Sequence, residues 1–233
     1  MFDNIYFLHI QKNAGRFFLD SFIYPFSNDI NILNDPREMN YNVFKHGPHL
    51  GWPKNITERT YIVTSLRDPI KRAVSEYVYY IGSIVGSISN GEENKIMHLD
   101  KKYFIEFIEK NNFYHNYSSK HLLYDFYNEI EFFYKNEKLK ERDSICKLEE
   151  RMNRCNLVIK SEDISSIPSD KIMEKISKDL SVELRQSGQQ SRNYKINSSE
   201  ILYRSLNDND KDRLSDFFDL DYKIYNSINF WKP

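Results

Sequence analysis

Residues 5–18, IYFLHIQKNAGRFF, carry the pattern that decides the fold. Apolar and β-prone side chains fill positions 5–8 and 10 almost without a break, which is typical of a strand covered on both faces in a parallel sheet. The run ends abruptly at a polar turn, residues 11–15, and a helix is expected to begin there. The free N–H groups of that helix and the charge of Lys12 would converge on the turn. The stretch therefore predicts a site for an anion such as phosphate or sulfate.

A second stretch, residues 60–80, repeats this design in TYIVTSLRDPIKRAVSEYVYY. An apolar strand over 61–66 leads into a polar turn, and Pro69 stands where a helix is expected to begin. Helical spacing would let several side chains around this turn converge on one anion. They are Arg67, either Lys71 or Arg72, and Ser75. Two strand-turn-helix units with cationic turns predict a ligand that has two separated anionic groups.

The turn does not follow the common nucleotide-triphosphate pattern GxxxxGK[ST]. Lys12 precedes the glycine of the turn, and Arg16 follows it where Lys-Ser or Lys-Thr would be expected. Taken alone, the turn is explained as well by a buried strand whose loop exposes one lysine. The second unit is what favours a phosphate-binding protein.

Both stretches resemble one protein family. FLHIQKNAG, residues 7–15, resembles the 5′-phosphosulfate-binding loop of sulfotransferases, and LRDPIKRAVSEY, residues 66–77, resembles their 3′-phosphate-binding element. The residues of the two motifs are most similar to those of the heparan sulfate 6-O-sulfotransferase branch of the carbohydrate sulfotransferases. The resemblance implies the cofactor 3′-phosphoadenosine 5′-phosphosulfate (PAPS). It also implies one α/β domain over residues 1–233, with a P-loop-like central parallel sheet of about four or five strands flanked by helices.

The resemblance places the cofactor-binding residues in the first loop, at the end of the second strand, in the helix after it, and in the basic segment 188–199. They are Gln11, Lys12, Asn13, Ala14, Gly15, Arg16, Phe17, Arg67, Ser75 and Arg192. The family usually carries hydroxyl side chains where this chain has Asn13, Arg16 and Phe17. The amide of Asn13 and the guanidinium of Arg16 are expected to donate in their place.

The segment VFKHGPHLGWP, residues 43–53, contains the expected catalytic base. A histidine in an isolated loop is usually a surface residue, but the resemblance assigns a base to a stretch similar to HxxHxxW before the second strand. His49 matches that place best and His46 is the alternative. A group whose pKa lies near neutrality suits removal of a proton from an alcohol. Lys12 is the expected catalytic cation, stabilising charge on the departing phosphate oxygen.

The acceptor is expected to be a hydroxyl on a carbohydrate, with protein tyrosine, lipid and small alcohols left open. NFYHNYSSKHLLY, residues 112–124, is similar to a segment that lines the acceptor side in the family, although a polar helix start explains it equally well. The residues expected to bind the acceptor are His46, Trp52, Asn116 and Lys120.

Composition narrows the possible partners. Lys and Arg number 33 against 34 Asp and Glu, so overall charge favours neither nucleic acid nor a membrane surface. The chain shows no leader pattern and no apolar run of about 18 residues, which favours a cytoplasmic protein of bacterial or viral type without a membrane anchor. Cys146 and Cys155 are expected to be free thiols rather than a metal site or a disulfide. No metal is required by the expected chemistry.

Further predictions concern the remaining elements and the alternatives. Helical periodicity predicts a helix over 101–110, and NLVIK at 156–160 predicts a strand. The helix after Pro69 is expected to end near Tyr80, followed by a flexible loop over 81–94. Two other functions are compatible with the pattern: a nucleotide or small-molecule kinase that uses Mg²⁺, and a non-catalytic protein that binds a nucleotide or glycan.

Overall fold

The structure, a computed structural model, describes residues 2–10, 12–33, 51–52, 56–88, 99–125, 130–186 and 198–233; at 15, 16, 81–88 and 130 it describes the backbone only. Among these residues four parallel strands form one sheet in the order β2-β1-β3-β4. The strands are β1 (Asn4–Leu8), β2 (Asn31–Ile32), β3 (Thr60–Leu66) and β4 (Leu157–Lys160). The predicted α/β class with a central parallel sheet is confirmed.

Helices flank the sheet and link its strands. They are α1 (Gly15–Phe18), α2 (Pro69–Ile88), α3 (Lys101–Lys110), α4 (Tyr117–Leu123), α5 (Arg142–Asn153), α6 (Ser169–Leu180), α7 (Ser198–Ser205), α8 (Asp208–Ser215) and α9 (Asp219–Ser227). A π-helical turn (Leu19–Ile23) and a 3₁₀ turn (Tyr24–Phe26) continue α1. Other 3₁₀ turns are Asn112–Tyr114, Ile130–Phe133, Lys138–Lys140 and Asp216–Phe218.

Both faces of the sheet are covered, as the apolar strands predict. Ile5 and Phe7 of β1 pack on one side against the helical turns after the first loop and against α6. Tyr6 and Leu8, which point the opposite way, pack against α4, α5 and α9. A third apolar cluster joins α2 to α3, α7 and α8. These layers fix β1 and β3 side by side at the centre of the sheet.

The register of β1 and β3 determines where the two predicted turns lie. Leu8 is paired with Thr64, so the two strands end at the same edge of the sheet. Because β1 and β3 are parallel, the loops that follow them leave from that shared edge. Ligands of open α/β sheets bind beyond the carboxyl ends of the strands. The sheet therefore places the two sequence motifs next to each other.

Helix α2 begins where the sequence predicts and ends later. Asp68 caps its first turn, because a carboxylate oxygen accepts a hydrogen bond from the Lys71 N–H at 2.9 Å, and Pro69 occupies the first helical position. The predicted end at Tyr80 is wrong, since the helix continues to Ile88. Apolar residues at 81, 84, 85 and 88 continue the helical spacing, and this pattern outweighs the glycines at 82 and 86.

The other element predictions are confirmed. Helix α3 has the predicted bounds, and its N-cap Asp100 accepts a hydrogen bond from the Lys102 N–H at 2.8 Å. The strand predicted over 156–160 is β4. Among the described helices none is both long enough and apolar enough to span a bilayer.

Candidate anion-binding site

The loop after β1 and the residue that follows β3 are in direct contact. The Arg67 Nη1 donates a hydrogen bond to the Lys12 carbonyl oxygen at 3.4 Å. The guanidinium of the second motif therefore contacts the backbone of the first loop. This contact sets the spacing between the first loop and the start of α2.

Asn13 is the residue through which the sheet holds this loop. Its carbonyl oxygen accepts hydrogen bonds from the hydroxyl of Ser65, at the end of β3, and from Ser161 Oγ, just after β4, at 3.1 Å. The Asn13 N–H donates to the Ile10 carbonyl at 3.3 Å. Residues from three neighbouring strands thus fix the loop at one point.

The loop backbone has an unusual conformation. Lys12 has a φ of 65° and Ala14 has a φ of 59°, both in the left-handed region, while Asn13 between them does not. A non-glycine residue in this region costs about 1–2 kcal/mol, so two of them in three residues store strain. Backbone stretches that alternate between negative and positive φ can turn successive N–H groups toward one point, and such nests bind anions. The conformation is the kind expected of a loop that cradles a phosphate or sulfate.

The Asn13 side chain supplies a second test of that fit. It is 0% exposed, and neither its Nδ2 nor its Oδ1 has a hydrogen-bond partner among the described residues. A buried amide without partners is costly, about 1–3 kcal/mol for each unsatisfied group. The loop thus contains unused hydrogen-bonding capacity beside Lys12, and the residues present fit an anionic group such as the 5′-phosphosulfate of PAPS.

Lys12 extends from the loop to the surface of α2. Its Nζ lies 3.3 Å from the centroid of the Tyr79 ring. Burial lowers the pKa of Lys12, the Glu76 carboxylate raises it, and the nearby Arg67 lowers it. The ammonium therefore lies against one aromatic face and within the electrostatic reach of one carboxylate, in a partly dry environment where its charge acts strongly.

The side chains predicted to bind the second anion have different surroundings in the structure. Arg72 is 0% exposed: its Nη2 donates to the Tyr114 carbonyl at 3.4 Å, and its guanidinium lies 4.4 Å from the Tyr117 ring. Lys71 instead points toward α7, with its Nζ 4.9 Å from the Tyr203 ring. Ser75 follows Lys71 by one turn and is half-buried. Of the two alternatives, Lys71 is partly exposed, as Ser75 is, whereas Arg72 is fully buried.

The other predicted residues of the first loop differ in their surroundings. Gly15 and Arg16 open α1, and the Arg16 side chain is outside the description. Ala14 and Phe17 both pack against the apolar core, and the Phe17 ring lies 5.7 Å from that of Phe22. A contact from Phe17 to a cofactor would therefore come from its backbone. Four of the predicted site residues lie outside the described residues: Gln11, His46, His49 and Arg192.

Trp52, predicted to bind the acceptor, is buried below the sheet. It is 7% exposed and its ring lies 5.2 Å from the Arg151 guanidinium. The neighbouring Gly51 carbonyl accepts a hydrogen bond from the Tyr6 hydroxyl at 2.8 Å. These contacts tie the segment before the second motif to β1, and the role of Trp52 in acceptor binding stays a prediction.

Asn116 and Lys120 lie in a buried polar network. The Lys120 Nζ donates to the carbonyls of Asn112 at 2.6 Å, Phe133 at 2.7 Å and Phe113 at 3.4 Å, and burial lowers its pKa to about 7. Asn116 donates to Asp219 at 2.8 Å through Nδ2. Both side chains join α4 to neighbouring segments, so this is a structural arrangement, and their predicted contact with an acceptor stays a prediction.

Sequence reasoning did not assign Ser65, Ser161 or Glu76 to the site. Ser65 and Ser161 anchor the loop, and each is the polar residue at the end of an apolar strand. Glu162 accepts a hydrogen bond from the Asp68 N–H at 2.9 Å and so holds the start of α2. Glu76 is an acidic residue on a buried helix face, one turn after Arg72, and that spacing was the available signal.

Comparisons of this chain with family models, with curated proteins and with solved structures found no match.

Proposed function

We propose that this protein is a PAPS-dependent sulfotransferase with a P-loop-like fold, which transfers a sulfuryl group to a hydroxyl acceptor. The observation that supports the proposal most is the contact of Arg67 with the Lys12 carbonyl at 3.4 Å. Two cationic strand ends that meet at one sheet edge suit a ligand with two anionic ends, and PAPS is such a ligand. The motif resemblance in both stretches gives the proposal its chemistry.

The residues divide into two groups by the part of the cofactor that each would hold. Lys12 and the loop N–H groups would bind the 5′-phosphosulfate, since the ammonium and the alternating backbone both favour a compact anion. Arg67 and Ser75 would bind the 3′-phosphate, with Gln11, Arg16 and Arg192 as further contacts from the resemblance. When bound, PAPS supplies the activated sulfuryl group.

The chain's own contribution to the chemistry is orientation and charge. Lys12 holds a positive charge where negative charge grows on the departing phosphate oxygen, and the fixed N–H groups of the loop act in the same direction without reorganising. His49, or His46 in its place, takes the proton from the acceptor hydroxyl. The acceptor is proposed to be a carbohydrate hydroxyl, on the basis of the branch resemblance.

Isothermal titration calorimetry with adenosine 3′,5′-bisphosphate (PAP), in EDTA, tests the proposal. ATP with Mg²⁺ is the parallel titration, because a kinase would bind that ligand instead. We expect metal-independent binding of PAP and much weaker binding of ATP. Binding of ATP with Mg²⁺ in preference to PAP would favour the kinase, and absence of PAP binding would contradict the sulfotransferase.

Turnover distinguishes an enzyme from a non-catalytic binder. In an assay that follows PAP release from PAPS in the presence of glycan acceptors, His49→Ala should abolish turnover while PAP binding persists. His46→Ala is the comparison variant, because His46 is the alternative position for the base in the same segment of the sequence. Turnover close to wild type in His49→Ala together with loss in His46→Ala would exchange the two roles.

A further inference from the structure

Helix α2 carries a buried carboxylate that the proposed chemistry does not use. Glu76 is 6% exposed, and its Oε2 has no hydrogen-bond partner among the described residues. An uncompensated buried carboxylate is costly, and such groups are retained where they pair with a charge or serve a site. The charge that Glu76 could pair with is that of Lys12.

Glu76 and Tyr79 stand on one face of α2, because residues three apart on a helix are neighbours. The Lys12 Nζ lies against that face, 3.3 Å from the Tyr79 ring centroid. The ammonium thus sits between the anion-binding loop from which it extends and a helix surface that offers one ring and one carboxylate. Arg72, one turn before Glu76 and 0% exposed, supplies a second cation whose charge acts on the carboxylate.

The groups that face this pair come from several elements. Arg67 faces Lys12 from the end of β3 and lowers its pKa, whereas Glu76 raises it against the effect of burial. Burial raises the pKa of Glu76, which Arg72 and Lys12 lower. Tyr114 and Tyr117 face the carboxylate from the chain before α4 and from α4 itself. Lys12 and Glu76 therefore each favour the ionised form of the other.

We propose that Glu76 is a positioning residue: with the Tyr79 ring, its carboxylate holds the Lys12 ammonium charged and in place beside the loop until a bound anion becomes its partner. The inference rests on the proposed function only for the identity of that anion. Two unlike partners on one helix face give Lys12 a defined place before the anion arrives, so less side-chain freedom is lost on binding.

Nuclear magnetic resonance of the protein with ¹³C-labelled lysine, without nucleotide, tests the inference. The Cε signal of Lys12, assigned by its loss in Lys12→Arg, is followed through alkaline pH in the wild type and in Glu76→Gln. We expect the titration midpoint of Lys12 to move to lower pH in Glu76→Gln, and the upfield shift that the Tyr79 ring imposes on its side-chain protons to decrease. Glu174→Gln, which removes an exposed carboxylate paired with Lys171, should change neither.

An unchanged Lys12 midpoint and ring shift in folded Glu76→Gln would overturn the inference. Thermal melting checks that each variant is folded. If Glu76→Gln does not fold, Glu76→Asp takes its place: it keeps the charge but shortens the reach, so we expect a smaller shift of the midpoint in the same direction, and no shift or an upward one contradicts the inference. Because these measurements need no nucleotide, failure to bind PAP would reject the proposed function without deciding this one.

Discussion

At the scale of single residues, the loop after β1 shows where stability has been given up. Lys12 and Ala14 have left-handed backbone conformations, and the Asn13 amide is buried with its polar atoms unpartnered among the described residues. Strain and unsatisfied groups of this kind collect at functional sites, where a ligand completes them. They distinguish this loop from an ordinary connection whose lysine merely points to solvent.

Asn13→Ala tests whether the Asn13 amide is truly unsatisfied. A hydrogen-bonded buried amide would cost about 1–3 kcal/mol to remove. We expect instead that the free energy of unfolding, measured by urea denaturation, falls by less than about 1 kcal/mol, because the loss of packing is offset by removal of an unpaired polar group. Affinity for PAP should decrease in the same variant. A loss of stability above about 2 kcal/mol would mean that the amide has partners in the folded protein.

At the scale of elements, α2 connects the two halves of the site. Its start is fixed by Asp68, whose carboxylate accepts hydrogen bonds from the Lys71 N–H at 2.9 Å and from the Tyr222 hydroxyl at 3.2 Å. Arg72 and Glu76 lie on its buried face, and the exposed ring of Tyr79, one turn after Glu76, contacts Lys12 of the first loop. The helix thus transmits the position of β3 to the side chain of Lys12.

Asp68→Ala tests this anchoring. Loss of an N-cap carboxylate costs about 0.5–2 kcal/mol, and the Tyr222 hydroxyl loses its partner as well. We expect the free energy of unfolding to fall by about 1–2 kcal/mol, measured by urea denaturation. Asp68→Asn is the matched control, because an asparagine oxygen can still accept from the Lys71 N–H, and it should retain most of the stability. Equal losses in both variants would show that charge, rather than capping, matters at this position.

The sequence predicted the elements better than it predicted the side-chain environments. Continuous apolar runs and an Asp-Pro helix start are local signals, so β1, β3, β4 and the beginning of α2 could be read directly. The end of α2 could not, since glycines suggested a loop while apolar spacing continued the helix. Burial of Lys120 among three carbonyls depends on the 3₁₀ turn Ile130–Phe133, and no local pattern reports a contact made across the fold.

At the scale of the whole molecule, a polar network behind the sheet joins α4 to α9 and to the turns beside them. The Asp221 carboxylate accepts hydrogen bonds from the backbone N–H of Ser118 at 3.1 Å and from that of Ser119 at 2.8 Å. Lys120 donates to three backbone carbonyls. His115 lies beside this network and is 5% exposed. The network locks the segment that the sequence assigned to the acceptor.

Lys120→Met separates a structural role of Lys120 from acceptor binding. Removing the ammonium leaves three carbonyls without that donor, so we expect the free energy of unfolding to fall by about 2–4 kcal/mol, measured by urea denaturation. Lys147→Met is the control, because among the described residues that lysine pairs with Glu150 alone, near the surface, and its loss should cost little. A Lys120→Met protein of wild-type stability that has lost acceptor binding would instead support the substrate-binding prediction.

Stability should depend on pH through His115. Its Nε2–H donates to the Ile108 carbonyl at 2.7 Å and its Nδ1 accepts from Asn136 at 3.4 Å, which is the neutral form of the ring. Burial lowers the pKa of His115, so below about pH 6.5 the unfolded chain binds a proton that the folded protein does not, and stability falls as pH falls. His115→Gln should flatten this slope in urea denaturation series. An identical slope in wild type and variant would contradict the assignment.

The central claim is that two loops at one sheet edge each hold one phosphate of the same nucleotide. Its most direct test is titration of PAP, adenosine 5′-monophosphate and adenosine 3′-monophosphate into wild type, Lys12→Ala and Arg67→Ala. We predict that both variants bind PAP more weakly, and that Arg67→Ala loses about 1.5–3 kcal/mol of binding free energy for a lost charged hydrogen bond. Of the two monophosphates, Lys12→Ala should weaken binding of the 5′-monophosphate only. Arg67→Ala should weaken binding of the 3′-monophosphate only. If both substitutions weaken the same monophosphate, or neither changes PAP affinity, the two-loop site does not exist.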